Sequence, residues 1–395
     1  MEVREDRPMS STKYPLIRVM RIIARMNVGG PAVQVSCLMR GIDSRYFDHR
    51  LYTGFCAADE ADYLNTTATD LKAARIESLG RRVSISGDIR AFTSLIKEIK
   101  SFKPHVIHTH TAKAGFLGRL ASIVSFQPSI RVHTFHGHLL NGYFGGFKRT
   151  LVIIIEKVLA LFTHELLAVG AKVRQDLLDV GIGKSEKFGI MPPGLEIGLL
   201  PNKIESKQSF GLTTSVLQCA FIGRVTQIKR PDRFLDVVSV MKKRKVNLEF
   251  FMVGDGELLD SCLERIVQED LPVKILGWQN EIERVLSAAD IVILTSDNEG
   301  TPLSLIQAGM ADLPVVTTNV GSIPEIVLDA VTGIVTSIDV QEIADALEKL
   351  ATQSELRMAM GAAAREFTLA NFGVHRLVRD HEELYERLIA NRTKS

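Results

Sequence analysis

The sequence predicts an α/β protein of two doubly wound, Rossmann-like domains, each a parallel sheet with helices on both faces. Three observations carry this. The chain has 395 residues, more than one hydrophobic core usually organises, so two domains are expected. Short runs rich in Val, Ile and Phe alternate with helical patterns along the chain, the punctuation of βαβ units. Those runs are apolar on both faces, as strands are when helices cover a parallel sheet from both sides.

In the first half, strands are expected at IRVMRII (17–23), HVIHTH (105–110) and RVHTFHGH (131–138), with helices after Gly30 and from Ala112. LVIIIEKVLALF (151–162) holds Glu156 and Lys157 and falls short of the roughly 20 residues that span a bilayer, so a buried helix is expected there. Residues 191–215, mixing Pro, Gly and polar side chains, read as a linker. Beyond it the alternation restarts, with strands at VLQCAFIGR, LEFFMVGDG, PVKILG, DIVILTS and LPVVTTNVG and helices from Pro231, Glu257, Glu281 and Thr301. The expected division is a loose tail at 1–15, a first domain at 16–200 and a second at 216–371. The tail has no apolar stretch of the kind a secretory signal needs.

Composition excludes several classes. Hydrophobic residues at 46% and charged residues at 24% are ordinary for a globular chain. Four widely spaced cysteines without a CxxC pair give neither a zinc ribbon nor a disulfide framework, and point to a reducing, cytoplasmic setting. Net charge is +2, but residues 1–200 carry +9 and the remainder −7. A basic first half suits a phosphate-bearing or membrane-surface partner, and equally suits solubility. Nucleic acid is disfavoured, because the basic residues are not interleaved with aromatics.

Ligands of doubly wound sheets sit beyond the carboxyl ends of strands, so the loops there hold the candidate chemistry. In SDNEGTPLSLIQAGMADLPVVTT (296–318), Thr301 is expected as N-cap, Pro302 at the first helical position, and the amides of Leu303 and its successor open to an anion or sugar beside Gly300. Glu299 would repel phosphate and suits sugar hydroxyls; an ordinary capped helix is the plain alternative. In FIGRVTQIKRPD (221–232), Arg224 and Lys229 are placed to converge on one pyrophosphate, or else are solvated surface. NVGGPA puts Gly29 and Gly30 at a βα turn without the GxGxxG of a dinucleotide fold; they let backbone approach a ligand or simply make the turn. Six histidines lie between His105 and His138. His108 and His110 share a strand face, as would alternate members of His133, His136 and His138, and metal ligation is an alternative. Against a mixed site, no Asp, Glu or Cys occurs from 99 to 155.

Taken in order, NVGGPA, HTHTAKAGFLGRLA, VHTFHGHLLNGYF, GIGKSEKFGIMPPGLE, FIGRVTQIKRPD, MVGDGEL, GW with a later AAD, and NEGTPLSLIQAGMADLPVV resemble the retaining GT-B glycosyltransferases of family 4. The resemblance implies two domains facing across a cleft, with a final helix at about 372–395 crossing back to the first. It implies that Arg224 and Lys229 hold a donor diphosphate and Glu299 the transferred sugar. Amides from Gly300 to Leu303 would contact sugar and phosphate, His136 would contact the sugar near the breaking bond, and Gly30 would close over the diphosphate. Gly277 and Trp278, in the GW motif, join the expected substrate-binding set. Family members carry a second Glu eight positions after the first, on the nucleotide ribose; here that position is Gln307, which accepts hydrogen bonds without charge.

The implied reaction moves a hexosyl unit, with retention and without metal or other cofactor, from a nucleotide-sugar, UDP-linked by family habit, to a glycan or polyprenyl-linked acceptor. Lys148, Arg149, Phe144 and Phe147 beside the apolar helix suggest an anionic membrane face in cell-surface polysaccharide assembly. A nucleotide-sugar 2-epimerase and a non-catalytic nucleotide-sugar sensor are the competing readings.

Overall fold

A computed structural model describes residues 16–58, 60–137 and 146–394, with the side chains of 146–148, 393 and 394 left aside. Phe144 and His138 lie outside the described residues, and so do the side chains of Phe147 and Lys148.

The elements run β1 Ile17–Ile23, α1 Gly30–Gly41, β2 Phe47–Thr53, α2 Tyr63–Thr66, β3 Ala73–Arg75, α3 Ile85–Phe102, β4 Val106–His110, α4 Ala112–Val124, β5 Ile130–Phe135, α5 Gly146–Phe162, β6 Glu165–Ala168, α6 Ala171–Asp179 and β7 Phe188–Ile190. They continue with α7 Lys203–Ser209, β8 Leu217–Ile222, α8 Pro231–Lys243, β9 Leu248–Val253, α9 Leu259–Gln268, β10 Val273–Gly277, α10 Ile282–Ala288, β11 Ile291–Leu294, α11 Leu303–Met310, β12 Val315–Thr318, β13 Gly333–Thr336, α12 Val340–Thr352, α13 Ser354–Phe372 and α14 Val374–Lys394. Two compact units result. One takes residues up to Val169, Arg174–Pro193 and everything from Val374; the other takes Gly170–Val173 and Gly194–Gly373.

The first unit holds a seven-stranded sheet in the order β3-β2-β1-β4-β5-β6-β7, every pairing parallel. Strand alternation divides its core between two faces. Met20, Ile22 and Ile107 pack against Leu95, Ile99, Leu117 and Ala121 of α3 and α4. Ile17, Val19, Val106 and Val132 pack against Leu38 of α1 and Leu377, Val378 and Tyr385 of α14. The final helix therefore completes the first unit's core, as the resemblance implied. Arg21, His108, His110 and Thr134 continue the register of Val19, Val106 and Val132, which places them on the α14 side.

The second unit holds a parallel sheet ordered β10-β9-β8-β11-β12-β13. Its core gathers Phe221, Phe250, Ile293 and Val316 from the strands with Phe234, Val238, Leu347 and Leu350 from α8 and α12.

Two expectations need correction. Residues 191–215 are not all linker: Asn202 accepts from the amides of Ile204 and Glu205, capping α7, and Lys207 pairs with Asp290 at 2.9 Å. The apolar helix α5 is buried on one face only. Glu156 there forms a buried ion pair with Arg119 of α4 at 2.6 Å, beside buried Leu159 and Ala160, while Leu151, Ile154, Val158, Leu161 and Phe162 are exposed. Burying that pair fixes which face turns inward, and a helix apolar all round leaves the remainder outside.

Candidate active site

In the second sheet, β8 and β11 are neighbours although β9 and β10 lie between them in sequence, so the winding reverses there and the two following loops part. Arg224 and Lys229 follow β8; Ser296 to Leu303 follow β11. A set of hydrogen bonds staples the loops together. The Asp297 amide donates to the Ile228 carbonyl at 2.9 Å and Thr295 Oγ1 to the Arg230 carbonyl at 3.0 Å. Buried Arg233 donates to the Thr295 carbonyl at 2.6 Å and to Asp297 Oδ1 at 2.7 Å.

This frame sets Lys229 Nζ at 2.5 Å from Glu299 Oε1, and Ser296 Oγ donates to the same oxygen at 2.5 Å. The lysine side chain is 15% exposed and the glutamate's 8%. Glu299 Oε2 has no hydrogen-bond partner among the described residues. One carboxylate oxygen is thus fixed, and the other is left to accept from a ligand hydroxyl.

Arg224 is exposed, on a backbone tied at both sides: the Gly223 amide donates to Val253 O at 3.0 Å and the Val225 amide to Asp255 O at 2.9 Å. Gly254 must be glycine for this, because a Cβ there would lie 1.9 Å from the Gly223 carbonyl oxygen at a φ of +137°. Its amide donates to Gly277 O at 2.9 Å, so Gly277 buttresses the loop from the end of β10. Trp278 follows, half exposed, its Nε1 donating to Asn280.

The helix after Glu299 begins later than expected. Pro302, not Thr301, is the N-cap, with φ −70° and ψ 110°, and Leu303 is the first helical residue. Pro302 is itself extended rather than helical, so the chain enters the helix one residue later than a Thr301 cap would require. The amides of Leu303 and Ser304, in the first turn, lie beyond the reach of intrahelical acceptors. Gln307 is half-buried one turn further along.

Gly321 was missed by the sequence reading. At φ +55°, it lies against Glu299, where a Cβ would sit 1.9 Å from the Glu299 carbonyl oxygen, and the next amide, of Ser322, donates to that oxygen at 3.1 Å. The VGS sequence after a strand was its only signal.

In the first unit, the winding reverses between β1 and β4. Gly29 is the N-cap of α1 and Gly30 its first residue, with Pro31 next, as the sequence implied; the Gly29 carbonyl accepts from Ala32 and Val33 at 3.1 and 3.2 Å. Half-buried His136 follows β5, with Nε2 2.8 Å from His110 Nδ1. His108 and His110 stack, centroids 4.4 Å apart, and both touch buried Arg21. His133 is not with them. It points to the other sheet face, bonded to Thr109 at 2.8 Å and beside Gly115. Both nitrogens of His108 and of His110 are engaged by protein partners, which leaves neither lone pair for a metal without breaking that network. Burial, then the Arg21 charge, depress His136 to about 3 and hold His108 well below the usual imidazole range; burial, then His108 and Arg21, do the same for His110. Arg21 and Tyr385 were missed as well; the second of two arginines in IRVMRII, on the strand face shared with Val19, was the available signal.

The sequence matches the Glycosyltransferase Family 4 family over residues 28–198 and the Glycosyl transferases group 1 family over 202–367. The chain belongs to the group 1, family 4 glycosyltransferases. This glycosyltransferase is 27% identical over 346 residues to the UDP-Gal:alpha-D-GlcNAc-diphosphoundecaprenol alpha-1,3-galactosyltransferase of Escherichia coli, covering 84% of the chain and 87% of that protein. It is 22% identical to the capsular polysaccharide biosynthesis glycosyltransferase CapM of Staphylococcus aureus, covering 81% and 86%. HepE of Anabaena, solved with UDP and glucose, superposes with a TM-score of 0.78 at 16% identity, covering 93% of this chain and 99% of that one. The fold is GT-B, and the chain is a glycosyltransferase of bacterial polysaccharide biosynthesis.

Proposed function

We propose that this glycosyltransferase moves a hexosyl unit from a UDP-sugar to a lipid-linked glycan acceptor, with retained anomeric configuration. The observation that carries the donor reading is the Lys229–Glu299 pair at the β8/β11 switch point, with Arg224 and the first-turn amides of α11 on the same two loops. Lys229 as a point charge and Arg224 as a planar fork neutralise the departing diphosphate without a divalent cation. Glu299 Oε2 accepts from the transferred sugar's hydroxyls, His136 contacts the sugar, and Gln307 accepts from the ribose. The leaving phosphate oxygen takes the acceptor's proton, so the reaction needs no side-chain base.

The acceptor reading is supported by α5. Leu151, Ile154, Val158 and Leu161 recur at helical spacing as an exposed apolar stripe, with Arg149 and Lys157 also exposed on the helix. Such a helix lies in the surface of an anionic bilayer. Among the described residues no helix is long and apolar enough to cross one.

The test supplies the purified enzyme with UDP-sugars and a polyprenyl-diphosphate glycan in EDTA. Transfer with an α-configured product is expected. Interconversion of the nucleotide-sugar without acceptor would instead indicate an epimerase. Ile154→Glu with Leu161→Glu should abolish sedimentation with phosphatidylglycerol vesicles and spare transfer to a detergent-dispersed acceptor.

A further inference from the structure

Arg21 is fully buried on β1, and its partners among the described residues are histidines and a tyrosine, with no carboxylate. Its guanidinium is held by neutral acceptors: Nε donates to His49 Nε2 at 2.9 Å, Nη2 to Tyr385 Oη at 2.6 Å and Nη1 to His110 Nε2 at 2.6 Å. A buried charge is costly, and one kept only for packing is ordinarily paired with an opposite charge. Here the charge is left uncompensated beside the histidine that follows β5.

Proton placement then follows step by step. Arginine only donates, so His110 Nε2 carries a lone pair and the His110 proton sits on Nδ1. His110 Nδ1 is 2.8 Å from His136 Nε2, so the bond runs from His110 to His136. The reverse direction would require lone pairs on both nitrogens of His110, an imidazolate. His136 Nε2 therefore accepts, and its one proton is on Nδ1, which makes no hydrogen bond among the described residues. The same logic orders the second branch. Tyr385 Oη accepts from Arg21 and donates to His108 Nδ1 at 2.7 Å, and His108 Nε2 donates to Thr134 Oγ1 at 2.7 Å.

We propose that Arg21, acting through His110, fixes His136 as the Nδ1–H tautomer, so that His136 meets a hydroxyl oxygen of the donor sugar as a hydrogen-bond donor. Arg21 and His110 are positioning residues, and the sugar contact itself rests on the function proposed above. The titratable groups around His136 are Arg21 on β1, His108 and His110 on β4, His133 on β5, and His381 and Tyr385 on α14. Among them Arg21 alone carries a full charge at neutral pH, and it opposes an imidazolium at His136.

The test is nitrogen NMR of the full chain labelled with 15N-histidine, the His136 signals being assigned by their loss in His136→Gln. A protonated Nδ1 and bare Nε2 at His136 between about pH 5 and 8 are expected. A protonated Nε2, or an imidazolium in that range, would overturn the proposal. Arg21→Met should mix the tautomers, lower kcat/KM about tenfold as one misdirected hydrogen bond would, and add an acid limb to the pH profile; Arg21→Lys should restore much of the loss. Should Arg21→Met fail to fold, His110→Phe provides the variant, because it removes the donor to His136 and leaves Arg21 with His49 and Tyr385. An unchanged Nδ1–H tautomer in that variant would count against the relay. Calorimetry of UDP-sugars with the wild-type protein separates the two readings: failure to bind any of them removes the donor function and leaves the tautomer result standing.

Discussion

Lys229 Nζ lies 2.5 Å from Glu299 Oε1, joining the loop after β8 to the loop after β11 at the point where the second sheet reverses its winding. The two residues depend on each other. Removing the lysine leaves a carboxylate only 8% exposed with the Ser296 hydroxyl as its one remaining partner among the described residues. Arg224 has no such structural duty, being exposed on a backbone held by others.

The two cations should therefore fail differently. Arg224→Ala and Lys229→Ala are each expected to lower kcat by roughly a hundred- to thousandfold, the size of a lost preorganised donor. Lys229→Ala should also destabilise the fold by about 1–3 kcal/mol through the stranded Glu299, whereas Arg224→Ala leaves the denaturation midpoint unchanged. Steady-state kinetics beside urea titration checks both, and equal stability loss in the two variants would contradict the assignment.

Gly321→Ala tests the backbone that seats Glu299. The added Cβ would meet the Glu299 carbonyl oxygen at 1.9 Å, so the loop after β12 must move. A stability loss of at least about 1 kcal/mol is expected from the left-handed conformation alone, with a rise in donor KM because Glu299 shifts. Wild-type KM in this variant would show that the contact does not position the carboxylate.

Acidification should weaken the first unit. His108, His110, His133, His136 and His381 are all held below the ordinary imidazole range, first by burial and then mainly by nearby positive charge, His136 and His381 to about 3. Each is neutral in the fold and protonates in the unfolded chain near pH 6.5, so the unfolded state binds more protons below that pH. Stability is then undiminished above about 6.5 and falls toward pH 3, by up to roughly 1.4 kcal/mol per pH unit for each histidine. Thermal melts from pH 7.5 to 4.5 should show Tm dropping from near 6.5 downward; a flat profile would mean that the imidazoles titrate freely in the fold.

Gln307→Glu restores the charge that family resemblance leads one to expect on α11. A carboxylate accepts from ribose hydroxyls more strongly than an amide, so UDP affinity should rise about fivefold. Unchanged affinity would place the ribose elsewhere.

Much of the architecture was legible in the chain. IRVMRII forms β1 with the expected bounds, and the loops singled out after β1, β8 and β11 lie beyond strand ends as expected, whereas His136, expected within a strand to 138, lies past the end of β5 at Phe135. What was not legible depended on tertiary context. Thr301 had a capping side chain, but Pro302 stays extended and the helix starts one residue later, at Leu303. LVIIIEKVLALF had no polar face to orient it, and only the Arg119–Glu156 pair decides which side is buried. Arg21 looked like an incidental charge in an apolar strand, because its partner Tyr385 lies 364 positions away and reaches it through the returning helix. Gly321 is demanded by a carbonyl that no local pattern announces.

The measurement that bears most directly on the diphosphate grip is calorimetric titration of UDP into the full-length protein in EDTA, repeated for Arg224→Ala and Lys229→Ala. Binding by the wild-type chain without metal, weakened at least tenfold in each variant, is the expected result. No UDP binding, or equal affinity in all three proteins, would mean that these side chains do not hold the donor.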